Sequence, residues 1–375
     1  MVQAPRVGSD SPGSRSRCVR VAAASSSAPI TQPPDRDVES SAELLVDQLI
    51  VRPLDDKSAQ RRDAVNQELE IVALVQPVSL ADAQQLADAL VADGLVAAAE
   101  PDGWRQVAWV PNDPYLVDQW SLRGAGDADL GVAVEQAWDL TLGSSSVTVA
   151  VIDTGGLPHP DINDRLIAGW DFVSDLSRSN DGDGWDADPT DSGDPCNGKP
   201  STWHGLHTAG IAGAEGDNRI GISGIDRRSA IQPVRVLGSC SGRVSDLGTG
   251  IRWAAGVPVD GVRGNPTPAR VINLSLGAGA LCSLAEQSAI DAAAAFGAVV
   301  VAASGNSASD LDAAPFSPAS CNNVIAVAAT TRFGDRANYS NSGSIVDIAA
   351  PGGLKLTSDS EAILSLSNAG RQLLI

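Results

Sequence analysis

From about residue 130 onward, Val- and Ile-rich apolar runs alternate with stretches of helical spacing. Residues 147–153 (VTVAVID) form a nearly unbroken apolar run. A strand with one wet face alternates polar and apolar positions, whereas an unbroken run is buried on both faces. Residues 231–237, 271–275, 298–303 and 324–329 read the same way. Between them lie residues 284–296 (LAEQSAIDAAAAF) and a small-residue run from His204 to Ala214, both of helical character. The alternation predicts an α/β domain: a mainly parallel sheet with helices on both faces. Reactive groups in such sheets gather beyond the carboxyl ends of the strands. No internal repeat is present.

The pattern before residue 106 is different. Residues 41–105 read as a small α+β unit, with strands at 48–54 and 69–75 and an amphipathic helix at 80–94. Residues 95–100 lead into a further strand. Residues 1–40 are rich in Ser, Pro and Arg and are predicted to be a disordered tail. Residues 104–119, punctuated by Pro111 and Pro114, read as a linker. The main domain is expected over 106–375.

Composition narrows the class. Hydrophobic residues are 43% and aromatics 4%, which suits small-residue α/β packing. The net charge of −20 excludes a phosphate backbone as partner, so no nucleic acid is expected. No apolar run reaches about 18 residues, so no membrane span is expected, and the first residues lack the apolar core of a secretory signal. Residues 181–194 (DGDGWDADPTDSGD) concentrate acid. Asp181, Asp183, Asp186 and Asp188 offer the carboxylate oxygens that calcium prefers, or form a solvated acidic loop. An EF-hand is excluded because Asp186 stands where its glycine would be. No organic cofactor is called for, and a monomer is expected.

Five cysteines are present and none forms a CxxC pair, which argues against zinc. Cys18 lies in the tail. The remaining four allow three pairings, or four buried free thiols. Two disulfides are the natural expectation, with Cys196 to Cys240 and Cys282 to Cys321 as the preferred pairing. An oxidising compartment follows, hence secretion or the cell envelope.

The candidate chemistry lies at the strand ends. Asp153 closes the strongest apolar run and is followed by Thr154-Gly155. His204 opens the small-residue helical run as His204-Gly205-Leu206-His207. An acid beside an imidazole orients its tautomer and stabilises its cation. A two-histidine metal site lacks a third ligand at a recognised spacing.

These segments carry a family resemblance. Val151-Ile152-Asp153-Thr154-Gly155 resembles the aspartate motif of the subtilases, and His204-Gly205-Leu206-His207 their histidine motif, with Leu206 replacing the usual threonine. Residues 272–277 (INLSLG) resemble the substrate-cleft strand, and residues 301–306 (VAASGN) the oxyanion segment. The four stand in family order over about residues 110–355. The resemblance implies a serine endopeptidase of subtilisin-like fold acting on polypeptides. Asp153 would hold the imidazole, and His204 would be general base and then acid. Asn306 would donate to the tetrahedral oxyanion. Ser275, Leu276 and Gly277 would pair with an extended substrate. Ala303, Ser304 and Gly305 would line the pocket beside the cut. His159 and His207 are structural in this reading. Residues 41–105 resemble a subtilase propeptide, a folding helper whose end occupies the cleft; processing would fall between Arg105 and Pro111.

One motif is missing. After Ala349-Ala350-Pro351-Gly352 the family places Gly-Thr-Ser-Met-Ala at the start of a buried helix. Here Ser358, Ser360, Ser365 and Ser367 follow, none in that frame, and Met1 is the sole methionine. Residues 362–367 resemble the strand before the nucleophile loop. The chain is therefore expected to be a precursor truncated before its serine, inactive or poorly folded, with sheet surface left bare. The alternative is a non-catalytic, peptide-binding pseudoprotease. All of this requires Asp153, His204 and Asn306 to share one cleft rim.

Overall fold

The computed structural model describes residues 46–52, 69–102, 110–124, 130–354 and 361–368. The expected tail, the processing segment at 105–109, and Ser358 and Ser360 lie outside these residues. The chain divides into two compact units, Met1–Val107 and Ala108–Ile375.

In the first unit, β1 (Val46–Arg52), β2 (Glu70–Val78) and β3 (Ala98–Pro101) form an antiparallel sheet in the order β2-β1-β3. α1 (Leu80–Ala92) begins where the Ser79 hydroxyl accepts the Asp82 N–H at 3.1 Å, satisfying one of the helix's free donors. Ala83, Ala87 and Leu90, on one face at three-to-four spacing, bury against Val46, Leu49 and Val51.

The second unit contains α2 (Val134–Trp138), β4 (Thr148–Asp153), β5 (Trp170–Asp171), α3 (Leu176–Ser179), α4 (His204–Gly213), β6 (Ala230–Arg235), α5 (Val244–Ala254), β7 (Val271–Leu274), α6 (Leu284–Ala295), β8 (Val299–Ala303), β9 (Val324–Thr330) and β10 (Ile348–Pro351). Its seven strands run parallel in the order β10-β9-β8-β7-β4-β6-β5. β4 shows why the apolar runs are unbroken. Ala150 and Ile152 join the core beneath α5 and α6, while Val151 joins the core beneath α4.

The second face is covered unevenly. α4 lies over β4 and β6. Val299, Ile325 and Ile348, on the same face of β8, β9 and β10, are 47%, 39% and 58% exposed. Residues 361–368 form no strand, contrary to expectation; they lie as an irregular segment against α4, where a Cβ on Gly210 would meet the Ser365 hydroxyl at 2.5 Å.

Both expected disulfides are present. Cys196–Cys240 and Cys282–Cys321 span 44 and 39 residues. Loops of that length give each bond about 4 kcal/mol of stabilisation through the unfolded chain.

Candidate active site

β4 delivers Asp153 to the carboxyl edge of the sheet, where it is fully buried. His204 is the first residue of α4. Its Nδ1 lies 2.8 Å from Asp153 Oδ1 and 2.9 Å from Oδ2. The Thr154 N–H donates to Asp153 Oδ1 at 2.8 Å. The carboxylate thus faces the imidazole from a fixed position, and Nδ1 is the donor.

Two glycines permit this approach of helix to strand. A Cβ on Gly205 would sit 2.1 Å from the Gly155 carbonyl oxygen. Gly155 itself has φ +115°, where an L side chain is strained.

The electrostatics separate the three histidines. Burial disfavours the His204 cation, but the Asp153 carboxylate, with Asp194 and Asp191 behind it, outweighs burial and raises the imidazole above 6.5. His207 is pushed down to about 4 by burial and by the His204 charge, and its Nε2 has no partner among the described residues. Burial also lowers His159. His207 binds fewer protons folded than unfolded between about 4 and 6.5, so its contribution to stability falls as pH drops through that window. Imidazole NMR of the chain should therefore resolve three midpoints, with His204 above 6.5 and His207 near 4. A His204 midpoint at or below 6.5 would contradict its pairing with Asp153.

Strand register brings the other expected residues to the same edge. Val151 pairs with Asn273, and Asn273 with Val301. Two residues further along each strand stand Asp153, Ser275 and Ala303. At a strand spacing of about 4.8 Å, the backbones of Asp153 and Ala303 are about 10 Å apart, with Ser275 between them. Leu276 and Gly277 make no backbone hydrogen bond among the described residues, which leaves an open strand edge. Asn306 is exposed and follows Ser304 and Gly305 directly.

The loop carrying Asn306 is held by a residue that the sequence did not single out. Asn341, 1% exposed, donates to the Ser304 carbonyl at 2.8 Å and accepts the N–H groups of Ser307 and Ser309 at 3.0 and 2.9 Å. Phe316 lies against both Gly277 and Gly305. A cavity of about 230 Å³ opens beside Phe316 and Asn341, with Leu281 and Ser307 also in its wall.

The acidic loop is less suited to a cation than its composition suggests. Asp181 is engaged by the buried guanidinium of Arg235. The charges of Asp186 and Asp181 raise the Asp183 carboxyl. Asp186 accepts the Asp188 N–H, and Asp188 accepts the Thr190 N–H. Asp183 approaches both Asp186 and Asp181, but no three of these carboxylates come within 4.8 Å of one another. Among the described residues, three such donor groups come within 4.8 Å of one another only at Cys282, Glu286 and Cys321, where the sulfurs already form a disulfide.

A second acidic cluster was missed in sequence. Asp113 and Asp161, 4% and 0% exposed, meet the loop at residues 215–222. Asn218 donates its side-chain amide to Asp161, and its N–H to Asp113. Burial pushes Asp161 up to about 6, against hydrogen bonds from Ile222 and Asn218 and aided by the charges of Asp113 and Glu215. The oxygens of both carboxyls are taken by the Asn218 donors and by the Asp217 and Ile222 N–H groups, and the Asn218 side-chain oxygen accepts the Ile220 N–H, so the cluster pins the 215–222 loop.

Two described serines near the site are committed to other partners. The Ser365 hydroxyl is buried and donates to the His207 carbonyl at 2.6 Å. Ser275 exchanges hydrogen bonds with the Asn273 side chain.

Comparison with known proteins places this geometry. Residues 144–374 match the subtilase family. The chain is 42% identical over 310 residues to an extracellular protease of Xanthomonas campestris pv. campestris, covering 80% of this chain and 51% of that one. It is 37% identical to thermitase of Thermoactinomyces vulgaris, covering 65% of this chain and 74% of that one. A solved protease of Pseudoalteromonas arctica superposes with a TM-score of 0.66 at 43% identity, over 71% of this chain and 80% of that one. The chain spans about half the length of the first curated relatives it matches. No described helix is long and apolar enough to cross a membrane. The parallel sheet, the Asp153–His204 pair at its carboxyl edge and the extent of these matches together show that the chain belongs to the subtilase family of serine endopeptidases.

Proposed function

We propose that residues 108–375 carry the acid–base pair, oxyanion donor and substrate edge of an extracellular endopeptidase that cuts extended polypeptides. The observation that carries this reading is the bond of His204 Nδ1 to both oxygens of the buried Asp153. It leaves Nε2 as the basic nitrogen. In the reaction Nε2 would take the proton of a serine hydroxyl as that oxygen attacks the scissile carbonyl, then return it to the leaving amine. Asp153 would stabilise the imidazolium without accepting its proton. The Asn306 amide would meet the negative oxygen of the tetrahedral intermediate. Leu276 and Gly277 would pair with the substrate backbone, and Ala303, Ser304 and Gly305 would border its side-chain pocket.

The 375 residues contain no serine in the family's nucleophile frame. This chain alone therefore binds peptide without cutting it in our reading; a dedicated binding protein is the second reading. The small unit before Ala108 acts as a propeptide. Relatives named as extracellular proteases, together with two disulfides, support secretion. Titrating a casein-derived peptide into the labelled chain should shift the Leu276 and Gly277 amides. Peptide binding that leaves both amides unmoved would remove the cleft assignment.

For calcium, the proposed site is the acidic loop at Asp181, Asp183, Asp186 and Asp188. Filling it requires the loop to rearrange, because Asp181 is held by Arg235. Bound there, calcium would relieve the repulsion that Asp186 and Asp181 exert on Asp183. A chelator should lower the melting temperature of the chain, and Asp183→Asn should abolish most of that response. A melting temperature indifferent to chelator would rule the site out.

A further inference from the structure

Thr154 occupies the junction between the two candidate catalytic residues. Its N–H donates to Asp153 Oδ1 at 2.8 Å. Its Oγ1 accepts the N–H of Gly205, the residue after His204, at 2.9 Å. Its hydroxyl proton is directed away from both, donating to Asp191 Oδ2 at 2.7 Å. Asp191 is 3% exposed and lies 37 residues from Thr154 in sequence. Its other oxygen accepts the Gly193 N–H at 2.8 Å.

A threonine hydroxyl has one proton and two lone pairs. Donation to a carboxylate fixes the rotor, and only then does a lone pair point at Gly205. Without Asp191 the proton can turn toward the helix N–H, and donor would face donor. We propose that Asp191 is a positioning residue: through Thr154 it locks the first turn of α4 onto the end of β4 and so sets His204 against Asp153. The inference rests on the reading of Asp153 and His204 as the acid–base pair.

The Asp191 carboxylate has its own supports. The Asp191 backbone N–H donates to the Gly156 carbonyl at 2.9 Å. Arg235 donates to the hydroxyl of the adjacent Ser192 at 2.9 Å. Asp194, three residues on, accepts the Thr202 N–H at 2.7 Å and so tethers the residues before α4. The groups that act on His204 are thus Asp153 from β4, Asp191 and Asp194 from the preceding loop, and His207 from its own helix. Burial raises the Asp191 carboxyl, and the Thr154 hydroxyl, the Gly193 N–H and Arg235, from β6, pull it back toward the charged form.

The test follows His204 by imidazole NMR and Gly205 by amide exchange in the full chain. Asp191→Ala should speed Gly205 exchange about ten-fold, the consequence of one lost hydrogen bond. It should also lower the His204 midpoint. Asp191→Asn keeps an acceptor oxygen without the charge; it should lower the midpoint and leave Gly205 exchange near the parent rate. Thr154→Val should speed Gly205 exchange with the Asp191 charge intact, and it keeps the proposal testable if Asp191→Ala does not fold. Asp153→Asn serves as reference. If Asp153→Asn leaves His204 unmoved, the acid–base pair itself is wrong. If Asp153→Asn moves His204 while Asp191→Ala and Thr154→Val leave Gly205 exchange unchanged, this inference alone is overturned.

Discussion

Purified chain of residues 1–375 should hydrolyse casein no faster than a buffer control. Ser365 lies against α4, but its hydroxyl is spent on the His207 carbonyl. Ser358, Ser360 and Ser367 stand in no Gly-Thr-Ser-Met-Ala frame. Without a serine hydroxyl, Nε2 of His204 has no proton to take on the path to the scissile carbon. Loss of that serine costs about a million-fold in turnover in subtilisin, itself a subtilase. The same chain should bind a hydrophobic dye such as ANS, because Val299, Ile325 and Ile348 leave apolar sheet uncovered. Robust casein cleavage, blocked by a serine-directed reagent, would show that one of these serines is the nucleophile after all.

Replacing Arg235 should be the most damaging single change to stability. Its side chain is 1% exposed and is held by Asp171, Asp181, the Ser179 carbonyl and the Ser192 hydroxyl. Asp171 is 2% exposed. Burial raises the Asp171 carboxyl, and the Val173 N–H and Arg235 pull it back. Arg235→Leu would leave a buried carboxylate without its cation, at a cost of about 3–5 kcal/mol. For a unit of this size that is on the order of 10 °C in melting temperature. The sign with pH follows. In the parent, Asp171 is already pushed up to about 7; without Arg235 it rises further, so the extra penalty is full above the variant's value and is lost as pH falls through about 7, where the carboxyl is protonated in both folded chains. Urea melts at pH 8 and pH 5 should show the larger deficit at pH 8. An equal deficit at both would mean that packing, not charge, holds this loop.

The strands that bear the site were legible as unbroken apolar runs: β4 is buried on both faces, and β8 keeps the run although Val299 is 47% exposed. Asp153 and His204 were legible for a related reason: each sits where an apolar or small-residue run meets a break. α5 was not anticipated, since VSDLGTGIRWA holds Gly248 and Gly250, and glycine weakens a helix on its own. Packing overrides that cost: a Cβ on Gly250 would meet Val236 Cγ1 at 2.8 Å. β5 spans two residues, and β10 ends at Pro351 on the sheet edge, so neither has a pattern long enough to see. Asn341, Asp191 and the Asp113–Asp161 cluster act through contacts 32 to 105 residues apart. No local spacing announces such partners.

The most direct measurement supplies the serine. The nucleophile segment of the Xanthomonas protease would be joined after residue 368, and casein hydrolysis measured with and without His204→Ala. Activity that falls by several powers of ten on removing the imidazole is the expected result. An active chimera indifferent to His204→Ala would mean that this imidazole, with its partner carboxylate, does not perform the chemistry.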